Sequence, residues 1–80
     1  MRLPRDLSGN DLAQVLHKLG YSITRQTGSH LRLTTQEHGE HHLTIPQHPP
    51  LRIGTLSAIL ADVATHFEIT RDTLLERLFS

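Results

Sequence analysis

The chain has 80 residues, of which 36% are hydrophobic and 20% charged, which predicts one small globular domain over residues 1–80 rather than a disordered tail. The absence of cysteine excludes disulfides and thiolate metal sites, and a formal net charge of zero argues against nucleic-acid binding driven by overall basic charge. No apolar run approaches the ~20 residues of a membrane span and no signal-peptide pattern opens the chain, so we expect a cytoplasmic protein with no membrane contact.

An amphipathic helix is predicted near the amino terminus. Ser8 is a suitable N-cap, and Asp11 places an acidic side chain in the first turn. Gly20 suits the left-handed position that follows the last turn of a helix. Between these signals, apolar residues recur with the spacing of one helix face, at Leu12, Val15, Leu16 and Leu19.

Three strands are predicted next, over residues 21–26, 30–35 and 41–45. The first connection is a three-residue turn, Thr27–Ser29, with a glycine at its centre where a positive φ is expected. The second connection is Gln36–Glu40. Short connections of this kind join antiparallel neighbours, so the three strands should form a meander.

Side chains alternate across a strand, so each predicted strand has an apolar and a polar face. In the first strand, Tyr21 and Ile23 are assigned to the apolar face, and the opposite face is assigned Ser22, Thr24 and Gln26. The other two strands are expected to present a polar surface of His30, Arg32, Thr34, His42 and Thr44.

Two helices are predicted after the strands. The proline-rich segment Pro46–Pro50 must be extended, and the pair Gly54–Thr55 is expected to begin a helix with an apolar stripe. Thr70 is a plausible N-cap for a short final helix. The order α-β-β-β-α with a short C-terminal helix predicts an α+β fold, in which the helices cover one face of a three-stranded antiparallel sheet and the other face meets solvent.

His30 and Arg32 form the main candidate site. Two residues apart on one strand, they point to the same side. A histidine can move a proton and a guanidinium can hold a phosphate, which are the two capacities that metal-free RNA cleavage requires. Backbone amides of Gly28 and Ser29, or the Ser29 hydroxyl, can donate to a phosphate oxygen. The alternative interpretation is a solvated strand face with an incidental histidine.

Other histidines suggest weaker hypotheses. His38 and His41 flank a turn and are candidates to share a metal ion, whereas His41 and His42 alternate across a strand and are not. His48, within the proline-rich segment, either reaches the polar face, docks a partner, or lies in a segment that only redirects the chain. We expect no metal site and no cofactor, because no tetrahedral ligand set or phosphate-binding glycine loop occurs.

Taken together, the motifs resemble the HicA family of small toxins from bacterial toxin–antitoxin modules, also called YcfA-like proteins. The resemblance covers about residues 8–75. Its pieces are Leu19-Gly20-Tyr21, Arg25-Gln26-Thr27-Gly28-Ser29-His30, Leu43-Thr44-Ile45-Pro46, His48-Pro49 and Gly54-Thr55-Leu56. The sequence departs from the family pattern at Leu31, where many relatives carry a second histidine.

This resemblance implies a double-stranded-RNA-binding-domain-like fold and a metal-independent ribonuclease that cleaves mRNA and is neutralised by a HicB-type antitoxin. It implies that His30 is catalytic and that Gly28 and Ser29 belong to the same motif. Candidate phosphate-binding or RNA-binding residues are Gly28, Ser29, Arg32, Arg25 and His48, and Arg52 is a further source of a phosphate ligand. The alternative function is a non-catalytic RNA- or protein-binding module with the same fold.

Overall fold

The computed structural model describes residues 6–47 and 50–79, so His48 and Pro49 of the predicted extended segment lie outside the described residues. Its elements confirm the predicted α+β order. They are α1 (Gly9–Leu16), a 3₁₀ turn (His17–Leu19), β1 (Ser22–Thr27), β2 (His30–Thr35), β3 (His41–Pro46), α2 (Ile53–Phe67) and α3 (Arg71–Phe79).

The three strands form one antiparallel sheet in the order β1-β2-β3. One face packs against the helices, and the opposite face is open to solvent, as the alternation of side chains predicts. Polar residues lie in register across the open face, since Arg32 pairs with Thr44 and Thr34 with His42. The largest fully buried side chains come from the sheet and all three helices: Leu12, Leu16, Tyr21, Leu31, Leu33, Ile45, Leu56, Leu60, Val63, Leu74, Leu75 and Leu78.

The first helix begins with the predicted N-cap. The Ser8 hydroxyl accepts a hydrogen bond from the Asp11 backbone N–H at 3.0 Å, and the Asp11 carboxylate accepts one from the Ser8 N–H at 3.2 Å. The α-helix ends at Leu16, earlier than predicted, and its last turn tightens into the 3₁₀ conformation. Gly20 then takes the predicted left-handed conformation, with φ of 82°.

A β-bulge in β1 changes which side chains reach the open face. The pairing with β2 shifts between Ile23 and Arg25. Strict alternation would send Arg25 to the same side as Ile23, but the bulge places it opposite Arg32 on the open face. The assignment of Gln26 to the polar face is therefore wrong, because this residue pairs with Leu31, whose side chain is buried.

Burial along β1 also differs from expectation. Ile23 pairs with Leu33, which is fully buried, yet Ile23 itself is 49% exposed. Edge position alone does not explain this exposure, because Leu43 and Ile45 of the other edge strand, β3, are buried. The helices cover less of β1, all of whose residues are exposed. Tyr21, just before the strand, is fully buried as predicted.

The turn between β1 and β2 is shorter than predicted. β1 extends to Thr27, which pairs with His30, and only Gly28 and Ser29 connect the strands. The φ of Gly28 is not positive, so the expected left-handed glycine is wrong. A Cβ atom at this position would meet nothing within 4 Å. Neither backbone conformation nor nearby packing therefore requires a glycine here.

The second helix begins one residue before the predicted Gly54–Thr55 pair. Its N-cap is Arg52, which has an extended backbone and whose carbonyl accepts a hydrogen bond from the Leu56 N–H at 2.9 Å. The final helix has the predicted cap, since the Thr70 hydroxyl accepts a hydrogen bond from the Thr73 N–H at 3.1 Å. Among the residues described, no helix is both long and apolar enough to cross a membrane.

Candidate active site

His30 occupies the first position of the central strand, on the open face of the sheet. Its side chain is exposed, and its Nδ1 lies 3.0 Å from the Ser29 hydroxyl oxygen. Its Nε2 makes no hydrogen bond to any described residue, which leaves this nitrogen accessible to a ligand. The Ser29 carbonyl accepts a hydrogen bond from the Gln47 N–H at 2.7 Å, which ties the turn before His30 to the chain after β3.

One shallow depression joins His30 to two arginines. Its volume is about 220 Å³, and its lining consists of Arg25, Thr27, His30, Arg32 and Thr44. These side chains come from all three strands, and the bulge in β1 accounts for the presence of Arg25. Two guanidinium groups beside an accessible imidazole provide the charge and the donors that a phosphodiester requires.

A second and larger depression, with a volume of about 550 Å³, adjoins the other side of His30. Its lining consists of His30, Pro46, Pro50, Leu51, Arg52 and Thr55. His30 is the residue that the two depressions share. Among the described residues, neither lining contains an acidic side chain, so an anion that approaches His30 meets an arginine in either depression.

Comparison with known protein families identifies the family of this chain. A family model for the HicA toxin of bacterial toxin–antitoxin systems matches residues 9–64, a range that contains every lining residue of both depressions. The chain belongs to the HicA toxin family. Proteins of this family are generally ribonucleases, and a toxin of such a system has an antitoxin as its partner. No curated protein and no solved structure gives a significant match.

In this HicA-family protein, the acidic residue Glu40 lies in the connection between β2 and β3 and bonds to His42 of the open face, with 2.9 Å between Oε2 and Nε2. Hydrogen bonds from His42 and Gln36 hold the pKa of Glu40 below its usual value, and Arg32 contributes a smaller electrostatic effect in the same direction. His42 also bonds to Thr34, with 2.8 Å between Nδ1 and the hydroxyl oxygen. The carboxylate is thereby engaged by its own neighbours, away from the two depressions.

Three other histidines gather where the turn between β2 and β3 packs against the end of α2. This histidine cluster consists of His38, His41 and His66, and the rings of His41 and His66 are stacked with 4.4 Å between their centroids. Nδ1 of His41 lies 2.7 Å from the Tyr21 hydroxyl, and its Nε2 lies 3.2 Å from Asp62 Oδ1.

The other two members of the histidine cluster also have partners. Nε2 of His38 lies 2.8 Å from the carboxylate of Glu68, and Nε2 of His66 lies 3.0 Å from the carbonyl oxygen of Glu37. His38 and His41, the pair considered for a shared metal ion, thus bond to different groups. Within residues 6–47 and 50–79, no group of three or more potential ligands is arranged to hold a metal ion.

The structure brings together some of the sequence-predicted site residues and not others. His30, Arg32 and Arg25 share one depression, Ser29 contacts His30, and Gly28 forms the adjoining turn. His48 lies outside the described residues. Sequence reasoning did not anticipate the contact between Ser29 and Nδ1 of His30 or the larger depression at the start of α2. The proline-rich segment before Arg52 was the only signal for the latter.

Proposed function

We propose that this HicA-family protein is an endoribonuclease that cleaves mRNA without a metal cofactor, with His30 as the catalytic residue. The observation that supports the proposal is the accessible Nε2 of His30 in a depression shared with Arg25 and Arg32. The open face thus brings one side chain that can carry a proton close to two that can hold a phosphate.

The proposed reaction is an internal transesterification of RNA. Nε2 of His30 removes the proton from a ribose 2′-hydroxyl, and the 2′ oxygen forms a bond to the adjacent phosphorus. The bond from phosphorus to the 5′ oxygen breaks, and that oxygen takes up a proton from solvent. The products are a 2′,3′-cyclic phosphate and a 5′-hydroxyl end. Arg25 and Arg32 stabilise the negative charge that increases on the phosphate oxygens.

Ser29 is proposed to position the imidazole. For Nε2 to act as a base, the proton of a neutral His30 must be on Nδ1, and the Ser29 hydroxyl oxygen is placed to accept that hydrogen bond at 3.0 Å. Gly28 leaves open space beside the turn, which gives an RNA strand room to approach. His48 remains a predicted RNA contact.

The decisive experiment replaces His30 and analyses the ends of the RNA products. His30→Ala should remain folded, because the side chain is exposed, and should lose at least about a hundredfold in cleavage rate. The control is His38→Ala, which removes an exposed histidine of the histidine cluster and should retain cleavage. Wild-type products should carry cyclic phosphate ends in the presence of a chelator. Undiminished cleavage by His30→Ala would refute the assignment, and dependence on added metal would refute the metal-free reaction.

A HicB-type antitoxin is the proposed protein partner, and the cytoplasm, where mRNA is found, is the proposed location. Membership of a toxin–antitoxin family supports the first of these. We propose that the antitoxin covers the open face around His30, which would block RNA without altering the fold. Co-expression with the neighbouring open reading frame should then suppress both growth inhibition and RNA cleavage. Growth inhibition that persists on co-expression with each neighbouring open reading frame would contradict the proposal of an antitoxin partner.

A further inference from the structure

We infer that the larger depression beside His30 is a binding pocket for one unpaired nucleotide, so that the substrate of this protein is single-stranded RNA at the cleavage point. This inference rests on the proposed function, and apart from His30 it concerns residues with no role in the proposed chemistry. It adds a substrate class that the double-stranded-RNA-binding-domain-like fold does not suggest.

The shape and chemistry of the pocket support a nucleotide as its occupant. Its volume of about 550 Å³ falls within the range of about 300–1,000 Å³ that is typical of small-molecule sites. Pro46, Pro50 and Leu51 contribute apolar surface against which a base can pack, and Leu51 is itself buried. Arg52 and Thr55 contribute a cation and a hydroxyl from the start of α2, which suit a phosphate or a base edge.

The position of the pocket relative to His30 indicates where that nucleotide lies. The pocket and the depression that contains Arg25 and Arg32 meet at His30. With the reacting phosphate held by the two arginines, the chain of the RNA must continue past His30, and the pocket is the adjoining concave surface. A base enters such a pocket only when it leaves its stack, and this costs least in a single strand.

Binding of non-cleavable RNA tests the inference without relying on catalysis. The probe is a fluorescent single-stranded oligonucleotide with a 2′-O-methyl group at every position, which has no 2′-hydroxyl to attack. Wild-type protein should bind this strand at least about tenfold more tightly than the same strand annealed to its complement. Equal affinity for the two forms would contradict the inference.

Two variants examine the pocket itself. Thr55→Trp fills it, and Arg52→Gln removes its cation, and each should weaken binding of the single strand by about tenfold. The matched controls are Ala58→Trp, on an exposed position of α2 outside the pocket lining, and Arg71→Gln, at the exposed start of α3. Both controls should bind as the wild type does, and circular dichroism checks the fold of every variant. Unchanged affinity in folded Thr55→Trp and Arg52→Gln would overturn the inference.

Abasic substitution then identifies the bound base. Removal of one base at a time should reveal a position whose loss weakens wild-type binding but has no additional effect on Thr55→Trp or Arg52→Gln. An abasic penalty of the same size in wild type and both pocket variants would overturn the inference. Failure of the proposed function would be recognised by different results. The wild-type protein would not cleave ordinary RNA, or its cleavage rate would be unaffected by His30→Ala.

Discussion

Two regions of this protein, the histidine cluster and the open face around His30, use histidine in different ways. In the histidine cluster, His38, His41 and His66 bond to a carboxylate or a carbonyl at Nε2, and two of the rings are stacked. On the open face, His30 has Ser29 at Nδ1 and no partner among the described residues at Nε2. The same side chain thus serves packing in one region and is left accessible to a ligand in the other.

This comparison indicates that the candidate site is located by an accessible imidazole nitrogen, Nε2 of His30, and not by the number of histidines. Both nitrogens of His41 bond within the protein, so this imidazole has no lone pair or proton to offer a substrate. His38 and His66 are bonded at Nε2, the nitrogen that His30 leaves accessible. Charge differs between the two regions as well, since the histidine cluster lies beside Asp62 and Glu68. The described lining of the two depressions at His30 contains arginines and no acidic residue. Four predictions test this division, beginning with the one that should change a measured quantity most.

Replacement of the arginines of the open face should lower the rate of RNA cleavage more than any other change considered below. Arg25→Gln and Arg32→Gln together should lower kcat/KM for RNA cleavage by about a hundredfold, because each removes a charge-assisted contact to the phosphate. Both side chains are exposed, so thermal unfolding should change little. Steady-state kinetics on a defined RNA measures the effect, with Arg71→Gln as the control. A double variant that retains full activity would show that the smaller depression does not hold the phosphate.

In the histidine cluster, loss of a histidine should affect stability and leave activity intact. His41→Ala removes the partner of the buried Tyr21 hydroxyl and should lower the free energy of unfolding by about 1–3 kcal/mol. RNA cleavage per folded molecule should remain that of the wild type. Urea unfolding and activity assays at a temperature where both proteins are folded measure the two quantities. A large loss of activity with unchanged stability would place function in the histidine cluster and contradict the division.

Gly20, just before the buried Tyr21, and Gly28, in the turn before His30, should respond differently to substitution. Gly20→Ala places a side chain at a φ of 82° and brings its Cβ against Thr35 and Glu37, so we expect a loss of about 1–2 kcal/mol in unfolding free energy. Gly28→Ala enters open space without a positive φ and should change stability by less than about 0.5 kcal/mol. Thermal unfolding of the two variants measures the contrast. Equal losses would show that the turn before His30 is more constrained than its geometry indicates.

Loss of the Tyr21 hydroxyl is expected to have a small effect on the free energy of unfolding at neutral pH. Tyr21→Phe should cost about 1 kcal/mol through loss of the hydrogen bond to His41. Burial, together with the nearby Asp62 carboxylate, raises the pKa of Tyr21 above its ordinary value of 10.0. The unfolded chain therefore loses this proton first, and the stability of the wild type should fall as the pH rises above about 10.

The Phe variant lacks that ionisation, so the stability difference between the two proteins should shrink as the pH increases from 9 to about 11. Urea unfolding at each pH measures it. A difference that stays constant over this range would contradict the buried and protonated state of the phenol.

Most of the fold could be predicted because its signals are local. The Ser8 cap, the apolar stripe of α1, the left-handed Gly20 and the cap at Thr70 each depend on residues within one or two turns of each other. The errors arose where local rules give no information. A bulge in β1 moved Gln26 off the open face, and the turn at Gly28 closed with two residues instead of three.

The candidate site was predictable only in part for the same reason. Strand alternation alone placed His30 and Arg32 on one side of β2. Arg25 was a candidate by residue type, but its position beside them depends on the bulge. Arg52 and Thr55 adjoin His30 only through the packing of α2 against the sheet, across more than twenty residues of chain.

Local sequence patterns are sufficient to predict the order of helices and strands, the polar surface of the sheet and the exposure of His30 at the first position of the central strand. These follow from periodicity and capping, which act over short stretches of chain. Tertiary structure establishes which nitrogens of the histidine cluster bond within the protein, that Nε2 of His30 is left accessible, and which arginines lie beside it. Those outcomes depend on strand register and helix packing, where residues distant in sequence compete for the same hydrogen bonds and the same space.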